Sequence, residues 1–114
     1  MRDEKEIRWV GSAYEDLLAF PYDARKEAGF QLGNVQAGLE PGHWKPFDDA
    51  GAGTREIRLK EATGAFRVMY VAKFDEAIYV LHCFQKKTQA TSKRDMAIVA
   101  ARYRVVVNLR KARQ

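Results

Sequence analysis

Three consecutive β-strands are predicted by residues 55–94, which read REIRLKEATGAFRVMYVAKFDEAIYVLHCFQKKTQATSKR. Apolar and polar side chains alternate along Arg55–Lys60 and again along Phe66–Phe74, as in strands that bury one face. Ala77–Gln85 is apolar almost throughout, which is typical of a central strand covered on both faces. We expect the rest of the fold to pack around this sheet.

Alternate side chains of a strand share a face, and this separates an apolar face from a charged one. The apolar face of the first two strands would comprise Ile57, Leu59, Phe66, Val68, Tyr70, Ala72 and Phe74. If these residues share one core, the opposite face carries Arg58, Lys60 and Arg67, and it leads into Lys86 and Lys87. A cationic face of this kind suits a polyanion.

Two helices are predicted ahead of this region. A short strand at Glu6–Val10 leads into Ser12-Ala-Tyr-Glu15, whose spacing predicts a capping box. The helix that it opens should stop before Pro21. A second helix is expected from about Asp23, because apolar side chains recur there at close to helical period, at Ala24, Ala28, Leu32, Val35 and Leu39.

The remaining segments are predicted from turn and cap signals. Pro41–Thr54 is rich in Gly, Pro and Asp and is expected to be a loop. Phe74–Ala77 reads as a tight hairpin connection, which makes the strands on either side antiparallel neighbours. Thr91-Ser92 offers an N-cap with Asp95 in the first turn, and the helix that follows should run to about Leu109.

Strand, two helices, three strands and one helix together predict an α+β fold, with an antiparallel-rich sheet, two N-terminal helices and one C-terminal helix. At 114 residues, the chain is expected to form one domain spanning 1–114. The first ten residues, MRDEKEIRWV, contain no apolar h-region, and no stretch approaches the ~20 apolar residues of a membrane span, so we expect neither a signal peptide nor a spanning helix. Cys83 is the only cysteine, which excludes an intramolecular disulfide and fits a cytoplasmic location.

The net charge of +5 is distributed unevenly along the chain. Residues 1–83 carry 11 Lys and Arg against 14 Asp and Glu, whereas residues 84–114 carry 9 against 1. This gradient points to an anionic partner for the C-terminal third, with nucleic acid as the first candidate. A solvated basic helix without such a partner is the alternative.

Motifs of several common enzyme classes are absent from the sequence. It contains no His-Glu-x-x-His, Cys-x-x-Cys, Walker loop or Gly-x-Ser-x-Gly, and its two histidines are too few for a His-rich metal site. We therefore predict no metal and no cofactor. His43 lies in the predicted loop beside Trp44, which we interpret as a lid on the core in preference to a base-stacking platform. His82 is interpreted as a core histidine with a partner, and Cys83 as a small buried hydrophobe.

The remaining Arg, Lys and Tyr side chains are sufficient for one kind of chemistry, the cleavage of RNA. The substrate supplies its own nucleophile, the 2′-hydroxyl, so the protein has only to move protons and stabilise the phosphorane. Clustered lysines lower each other's pKa and can bring one toward use as a base, while arginine suits the phosphate oxygens. On spacing alone, binding of the phosphate backbone is favoured over catalysis.

Several stretches resemble the phage-derived, HigB-like branch of the RelE toxin superfamily. They are Trp44-Lys-Pro-Phe, Gly-x-Gly-Thr-Arg-Glu-Ile-Arg-Leu, Phe66-Arg-Val-Met-Tyr70, Leu81-His-Cys-Phe84 and Lys86-Lys-Thr-Gln89 followed by Ser92-Lys-Arg-Asp95. The resemblance covers roughly Lys5 to Arg104. Its most specific part is the Phe-x-Lys-Lys-Thr-Gln run followed by a basic helix start.

The resemblance implies the toxin of a type II toxin–antitoxin pair, a small RelE-like α+β ribonuclease that cuts mRNA in the ribosomal A site. A helix-turn-helix antitoxin would neutralise it. By position, Arg67 matches the strand arginine that contacts the scissile phosphate. Arg58 matches a basic position on the preceding strand that is used for acid–base catalysis or for phosphate binding. Lys86 and Lys87 match the catalytic cations after the last strand. Lys60, Lys93 and Arg94 would extend the RNA-binding surface.

Two positions depart from the superfamily pattern. Some members have a lysine two residues before the position of Arg58, where this chain has Glu56. Some use a C-terminal tyrosine as the base, but Tyr103 falls on the apolar stripe of the last helix and is read as core. The identity of the general base therefore stays open.

Three functions remain in view at the level of sequence. The first is a ribosome-dependent mRNA endoribonuclease, and the second is an inactive protein of the same fold that only binds RNA, the ribosome or an antitoxin. The third is a DNA-binding phage regulator, which fits the charge but lacks a recognition-helix pattern outside the C-terminal helix.

Overall fold

The computed structural model describes residues 4–113. In chain order its elements are β1 (Glu6–Trp9), α1 (Ala13–Leu18), α2 (Tyr22–Gln36), β2 (Trp44–Pro46), a short 3-10 turn (Asp48–Ala50), β3 (Thr54–Glu61), β4 (Gly64–Val71), β5 (Ala77–Lys86) and α3 (Lys93–Ala112). The strands form one sheet in the order β1-β5-β4-β3-β2. Only β1 and β5 pair in parallel, so the predicted α+β class and antiparallel-rich sheet are confirmed.

Helices cover both faces of the sheet, and this produces two cores. On one face, α1 and α2 bury the apolar sides of β3 and β4, including Ile57 and Val68. On the other face, α3 packs through Val99 and Val106 over β5. The prediction that the third strand is central and covered on both faces is therefore confirmed.

A β-bulge in β5 sets which of its side chains face α3. Met69 pairs with His82, but the next residue of β4, Tyr70, pairs with Val80, so Leu81 is the extra residue. Leu81 packs in the core under α3 and His82 lies on the same side. The alternation therefore shifts by one position within the strand.

The predicted strand at Phe66–Phe74 is too long at its end. Strand β4 stops at Val71, and the chain then turns, so Phe74 packs with the α3 core instead of joining Phe66 on the opposite side. The hairpin between β4 and β5 is antiparallel, as expected.

The loop prediction for Pro41–Thr54 is wrong in part. Strand β2 pairs with β3 at the edge of the sheet, and a 3-10 turn follows it. Trp44 is partly buried on the α1–α2 side, where the Arg55 guanidinium stacks 4.1 Å from its ring centre. Leu39 lies beyond the end of α2 and is 57% exposed, so it is not part of the helix's buried stripe.

Of the two predicted helix caps, the one at α3 is confirmed and the one at α1 is wrong. The Ser92 hydroxyl accepts from the Asp95 backbone N–H at 3.0 Å, which confirms the N-cap of α3. Ser12 makes no such bond, so the capping box is wrong. Its hydroxyl instead donates to the Asp16 carboxylate at 2.8 Å and accepts from Arg102 at 3.0 Å.

Arg102 also closes an otherwise open sheet edge. Strand β1 covers only Ala77–Val80 of β5, and beyond that point the Arg102 guanidinium donates to the Leu81 carbonyl at 2.9 Å. A guanidinium at this position satisfies an edge carbonyl and blocks the approach of another strand.

The C-terminal end of α3 is tied to the β4–β5 turn by an ion pair. Arg110 Nε donates to Glu76 Oε2 at 2.7 Å, and the guanidinium lies 3.9 Å above the Phe74 ring. The bond from Arg110 is the main cause that lowers the pKa of the Glu76 carboxyl to about 2. Within residues 4–113, no helix is long and apolar enough to cross a membrane.

Candidate functional site

The charged face of the sheet is arranged in cross-strand rows. Arg58 lies directly opposite Arg67, which in turn lies opposite Phe84. In the next row, Lys60 pairs with Ala65 and Ala65 pairs with Lys86. Residues paired in this way share a face. The structure thus brings Arg58, Lys60 and Arg67 onto one face, as predicted, and adds Lys86 to it.

A buried carboxylate lies between the two arginines. Glu56 Oε1 is 3.3 Å from Arg58 Nε and 3.8 Å from Arg67 Nε, and the Glu56 side chain is only 5% exposed. Like charges directly opposite each other on neighbouring strands repel, so this carboxylate offsets the Arg58–Arg67 repulsion. Glu56 occupies the position at which some superfamily members have a lysine. In this chain it has a structural role, because it stabilises the arginine pair.

Arg67 and Arg58 differ in how far they reach the surface. Arg67 is buried, and its Nη1 donates to the Phe66 carbonyl at 3.0 Å. Burial is the main cause that lowers the Arg67 pKa, yet a guanidinium keeps its proton in proteins. The Arg58 side chain is 35% exposed. Arg58 is therefore the more accessible of the two positive charges.

A cleft of about 510 Å³ opens at the free end of β3, where β2 no longer covers the strand. It brings together the three predicted cations Arg58, Lys60 and Arg67 with His43. Its other walls come from α2 and the β3–β4 hairpin, through Glu27, Gln31, Leu59, Glu61 and Ala65. His43 was given no role from the sequence, because its place beside Arg58 depends on β2, which had been taken for a loop.

Three other predicted cations line a second, smaller cleft of about 250 Å³. Lys86, Lys87 and Arg94 meet there between the end of β5 and the start of α3. Phe84 lines this cleft too, and it is the cross-strand partner of Arg67. The phenyl ring thus separates the two cationic groups. Lys93, the seventh predicted residue, is exposed on the first turn of α3 and lines neither cleft.

A histidine–aspartate pair anchors α3 next to these clefts. His82 Nε2 lies 2.8 Å from Asp95 Oδ1, and the Ser92 hydroxyl donates to Asp95 Oδ2 at 2.7 Å. The His82 ring stacks on Phe84 with centres 4.9 Å apart. The interpretation of His82 as a core histidine with a partner is confirmed, and its side chain ties the first turn of α3 to β5.

Two further interpretations from the sequence are confirmed. Cys83 is buried, and burial raises the pKa of its thiol to about 12, so it behaves as a small hydrophobe. Tyr103 packs against the α3 core and donates its hydroxyl to the Ala52 carbonyl at 2.6 Å. Its ring leaves no room for a side chain at Gly51, where a Cβ would lie 2.3 Å from Tyr103 Cγ.

The arrangement can bind an extended anion. Guanidinium and ammonium groups from β3, β4 and the β5–α3 loop lie along one face, with an aromatic ring between them. Cations with interleaved aromatic side chains suit single-stranded nucleic acid. Among the described residues, no cluster of three or more His, Cys, Asp or Glu side chains could hold a metal ion.

Comparison with protein families gives one match, which covers most of the chain. Residues 15–104 match the family model described as Phage derived protein Gp49-like (DUF891). None of the curated proteins matches the chain significantly. The matched range contains most of α1, all of α2 and β2–β5, and the first part of α3, and with them every cation of the two clefts. The chain therefore belongs to the Gp49-like family of phage-derived proteins, a family of RelE/HigB-like toxins.

Proposed function

We propose that this protein is the toxin of a type II toxin–antitoxin pair, of the HigB-like branch, and that it cleaves mRNA on the ribosome. The observation that carries the proposal is the Arg58–Arg67 pair on the charged face of the sheet, which is held by the buried Glu56 and lines the larger cleft. Two guanidinium groups side by side suit the equatorial oxygens of a phosphorane. Membership of a toxin family supplies the biological context.

In the proposed reaction, the 2′-hydroxyl of one nucleotide attacks the adjacent phosphate in the A site. Arg67 and Arg58 stabilise the charge that develops on the phosphate, and Lys86 and Lys87 act at the far side of the same face. Lys60, Lys93 and Arg94 bind the flanking backbone. The chain's own residues supply charge and proton transfer, so no metal is part of this scheme.

The proposed partners follow from the same scheme. They are mRNA on the ribosome and a cognate helix-turn-helix antitoxin, and the site of action is the cytoplasm. A basic face of this extent would attract an acidic segment of the antitoxin.

The alternative is a catalytically inactive member of the fold that only binds RNA, the ribosome or an antitoxin. One observation favours it. Glu56 occupies a position where some superfamily members carry a lysine, and its carboxylate partly neutralises both arginines. Such a protein would keep its affinity for RNA and lack cleavage.

The test is induction of the chain in a bacterial host, followed by primer extension on a translated mRNA. The variants are Arg67→Ala, Arg67→Lys and, as a matched control, Arg25→Ala, which removes a partly exposed arginine of α2 that lies above the Tyr22 ring and outside both clefts. We expect wild type and Arg25→Ala to arrest growth and produce discrete cuts, and Arg67→Ala to produce neither.

Arg67→Lys should retain only a small part of the activity, because an ammonium cannot match the two-point contact of a guanidinium. Circular dichroism and the midpoint of urea unfolding establish that each variant is folded. Growth arrest with Arg67→Ala equal to wild type would contradict the catalytic role of Arg67. Folded wild-type protein that leaves growth and mRNA intact would favour the binding alternative.

A further inference from the structure

His43 continues the row of side chains that crosses the candidate site. In the β2–β3 register, Lys45 pairs with Glu56 and Trp44 with Ile57, and the His43 carbonyl accepts from the Arg58 N–H at 2.9 Å. The next position in this register places His43 opposite Arg58. The full row is therefore an imidazole, two guanidinium groups and a phenyl ring, from His43, Arg58, Arg67 and Phe84.

The backbone of His43 is held on both sides, although the residue lies outside the bounds of β2. The Gly42 N–H donates to Gln31 Oε1 at 2.6 Å, and Gln31 Nε2 donates to Glu27 Oε1 at 2.7 Å. Gln31 is only 8% exposed. A Cβ at Gly42 would lie 3.2 Å from Gln31 Nε2, so a glycine allows this close approach of the chain to α2.

The imidazole itself is left accessible. His43 is an exposed residue on the wall of the 510 Å³ cleft, with Arg58, Lys60 and Glu61 of β3, Arg67 of β4 and Glu27 of α2 as the charged groups that line the same space. Among these side-chain types, only imidazole ordinarily exchanges its proton between pH 5 and 8. Glu56 is already engaged by both arginines, and the Tyr103 hydroxyl is bound to Ala52.

We propose that His43 is the general base of the cleavage reaction, an assignment that rests on the ribonuclease function proposed above. The imidazole takes the proton of the 2′-hydroxyl as the bond from the 2′-oxygen to phosphorus forms. The bond from phosphorus to the 5′-oxygen breaks, and the ammonium of Lys86 gives a proton to that oxygen. The products are a 2′,3′-cyclic phosphate and a free 5′-hydroxyl.

The positions of His43 and Lys86 fit their proposed roles as base and acid. His43 lies on the β2 side of the arginine pair and Lys86 on the β5 side, three strand spacings away, or about 14 Å across the sheet. A phosphate above Arg58 and Arg67 therefore has one proton-transfer group on each side. In-line displacement needs this arrangement, because the attacking and leaving oxygens are on opposite sides of phosphorus.

The experiment measures single-turnover cleavage of an mRNA on programmed ribosomes by the full-length chain, and separately its binding to the same ribosomes. The variants are His43→Ala and Lys45→Ala, the second being a control on the same strand and the same face. We expect His43→Ala to lower the cleavage rate by about 10²-fold or more, in the range of general-base removal, with ribosome binding unchanged. Lys45→Ala should cleave at the wild-type rate.

Free imidazole added to the reaction tests whether the loss is one of proton transfer. It should restore a substantial part of the rate of His43→Ala and leave Arg67→Ala inactive. A substrate whose leaving oxygen is replaced by sulfur no longer needs an acid. With it, the defect of Lys86→Ala should shrink, whereas that of His43→Ala should persist.

The outcomes separate the two proposals. Cleavage by His43→Ala at the wild-type rate, or a defect that imidazole does not relieve, would overturn the assignment of His43 and leave the ribonuclease intact. A His43→Ala defect that disappears on the sulfur substrate would also overturn it, because it would make His43 the acid. Wild-type protein that binds ribosomes and cleaves nothing would overturn the ribonuclease function itself.

Discussion

Glu56 is buried between Arg58 and Arg67, and it makes a cross-strand pair of arginines compatible with a stable sheet. Breaking a buried ion pair by removing one partner is costly, since the remaining charge keeps its desolvation penalty. At the same time, any anion that binds this face must compete with the carboxylate for the two guanidinium groups. The residue thus affects stability and phosphate binding in opposite directions.

We expect Glu56→Gln to lower the free energy of unfolding by about 2–3 kcal/mol, because it removes the charge of a carboxylate that contacts both arginines and leaves their repulsion in place. Urea unfolding at neutral pH measures this. The matched control is Glu61→Gln at the end of the same strand, which should change stability by less than about 0.5 kcal/mol. Equal, small losses in both variants would show that Glu56 does not hold the arginine pair.

At the residue scale, the sequence predicted that three cations of the candidate site share a face, but it did not predict that His43 lines the same cleft. Strand alternation is strict, so Arg58, Lys60 and Arg67 had to share a face once Ile57 and Val68 shared a core. The place of His43 depends instead on a three-residue strand whose Gly and Pro neighbours are typical of a loop. The hydrogen bond from the Arg58 N–H of β3 to the His43 carbonyl determines that position, and no local sequence pattern predicts it.

Elements are joined here by a few specific side-chain contacts, and the Glu76–Arg110 pair is the one that responds to pH. Arg110 belongs to the last turns of α3, whereas Glu76 belongs to the turn between β4 and β5. The pKa of Glu76 is lowered from 4.5 to about 2 in the folded chain. Its unfolded counterpart therefore takes up a proton at a higher pH than the folded carboxyl does.

This difference gives the pair a defined pH window. The stabilisation by Glu76 is present above pH 4.5 and is lost as the pH falls toward about 2, where the folded carboxyl is also protonated. We expect wild type to lose stability over this range and Glu76→Gln to lose measurably less. The urea midpoint at pH 7, 4.5 and 3 tests it. Asp75→Asn, on the adjacent exposed residue, should follow wild type, and a Glu76→Gln curve parallel to wild type would contradict the assignment.

Strands β3 and β5 and the start of α3 were predictable because local sequence signals lie at or close to their bounds. The Ser92 cap, the apolar run of β5 and the alternation in β3 each fix an element from a local signal. Ser12-x-x-Glu15 had the spacing of a capping box, yet the Ser12 hydroxyl is engaged by Asp16 and Arg102, a contact 90 residues away along the chain. Long-range competition of this kind cannot be read from a short motif.

For the molecule as a whole, the uneven charge has a physical counterpart in the second cleft. The basic C-terminal third supplies Lys86, Lys87 and Arg94, which lie together between β5 and α3. This cleft adjoins the face that bears Arg58 and Arg67, so charge from both parts of the sequence is concentrated on one side. The net charge alone would not have predicted that concentration.

Removal of this charge should change how RNA binding depends on salt. We expect Lys86→Ala with Lys87→Ala to weaken binding to single-stranded RNA and to reduce the slope of log affinity against log salt by up to about 1.4, or ~0.7 per lost phosphate contact. Fluorescence anisotropy between 50 and 300 mM salt, a range chosen to span roughly physiological conditions, measures it. The control removes two exposed lysines outside both clefts, Lys26→Ala with Lys111→Ala. An identical change in both double variants would mean that only net charge matters.

The bulge at Leu81 has a consequence for how β5 can change in length. His82, Phe84 and Lys86 point toward the charged face, and Cys83 and Gln85 point away from it. Val80 and His82 pair with consecutive residues of β4, so they already lie on opposite faces, and Leu81 is the residue added between them. Deletion of the Leu81 codon would therefore restore regular pairing and leave the other side chains of β5 on their present faces. A bulge of this kind lets a strand gain or lose one residue in evolution without exchanging its two faces.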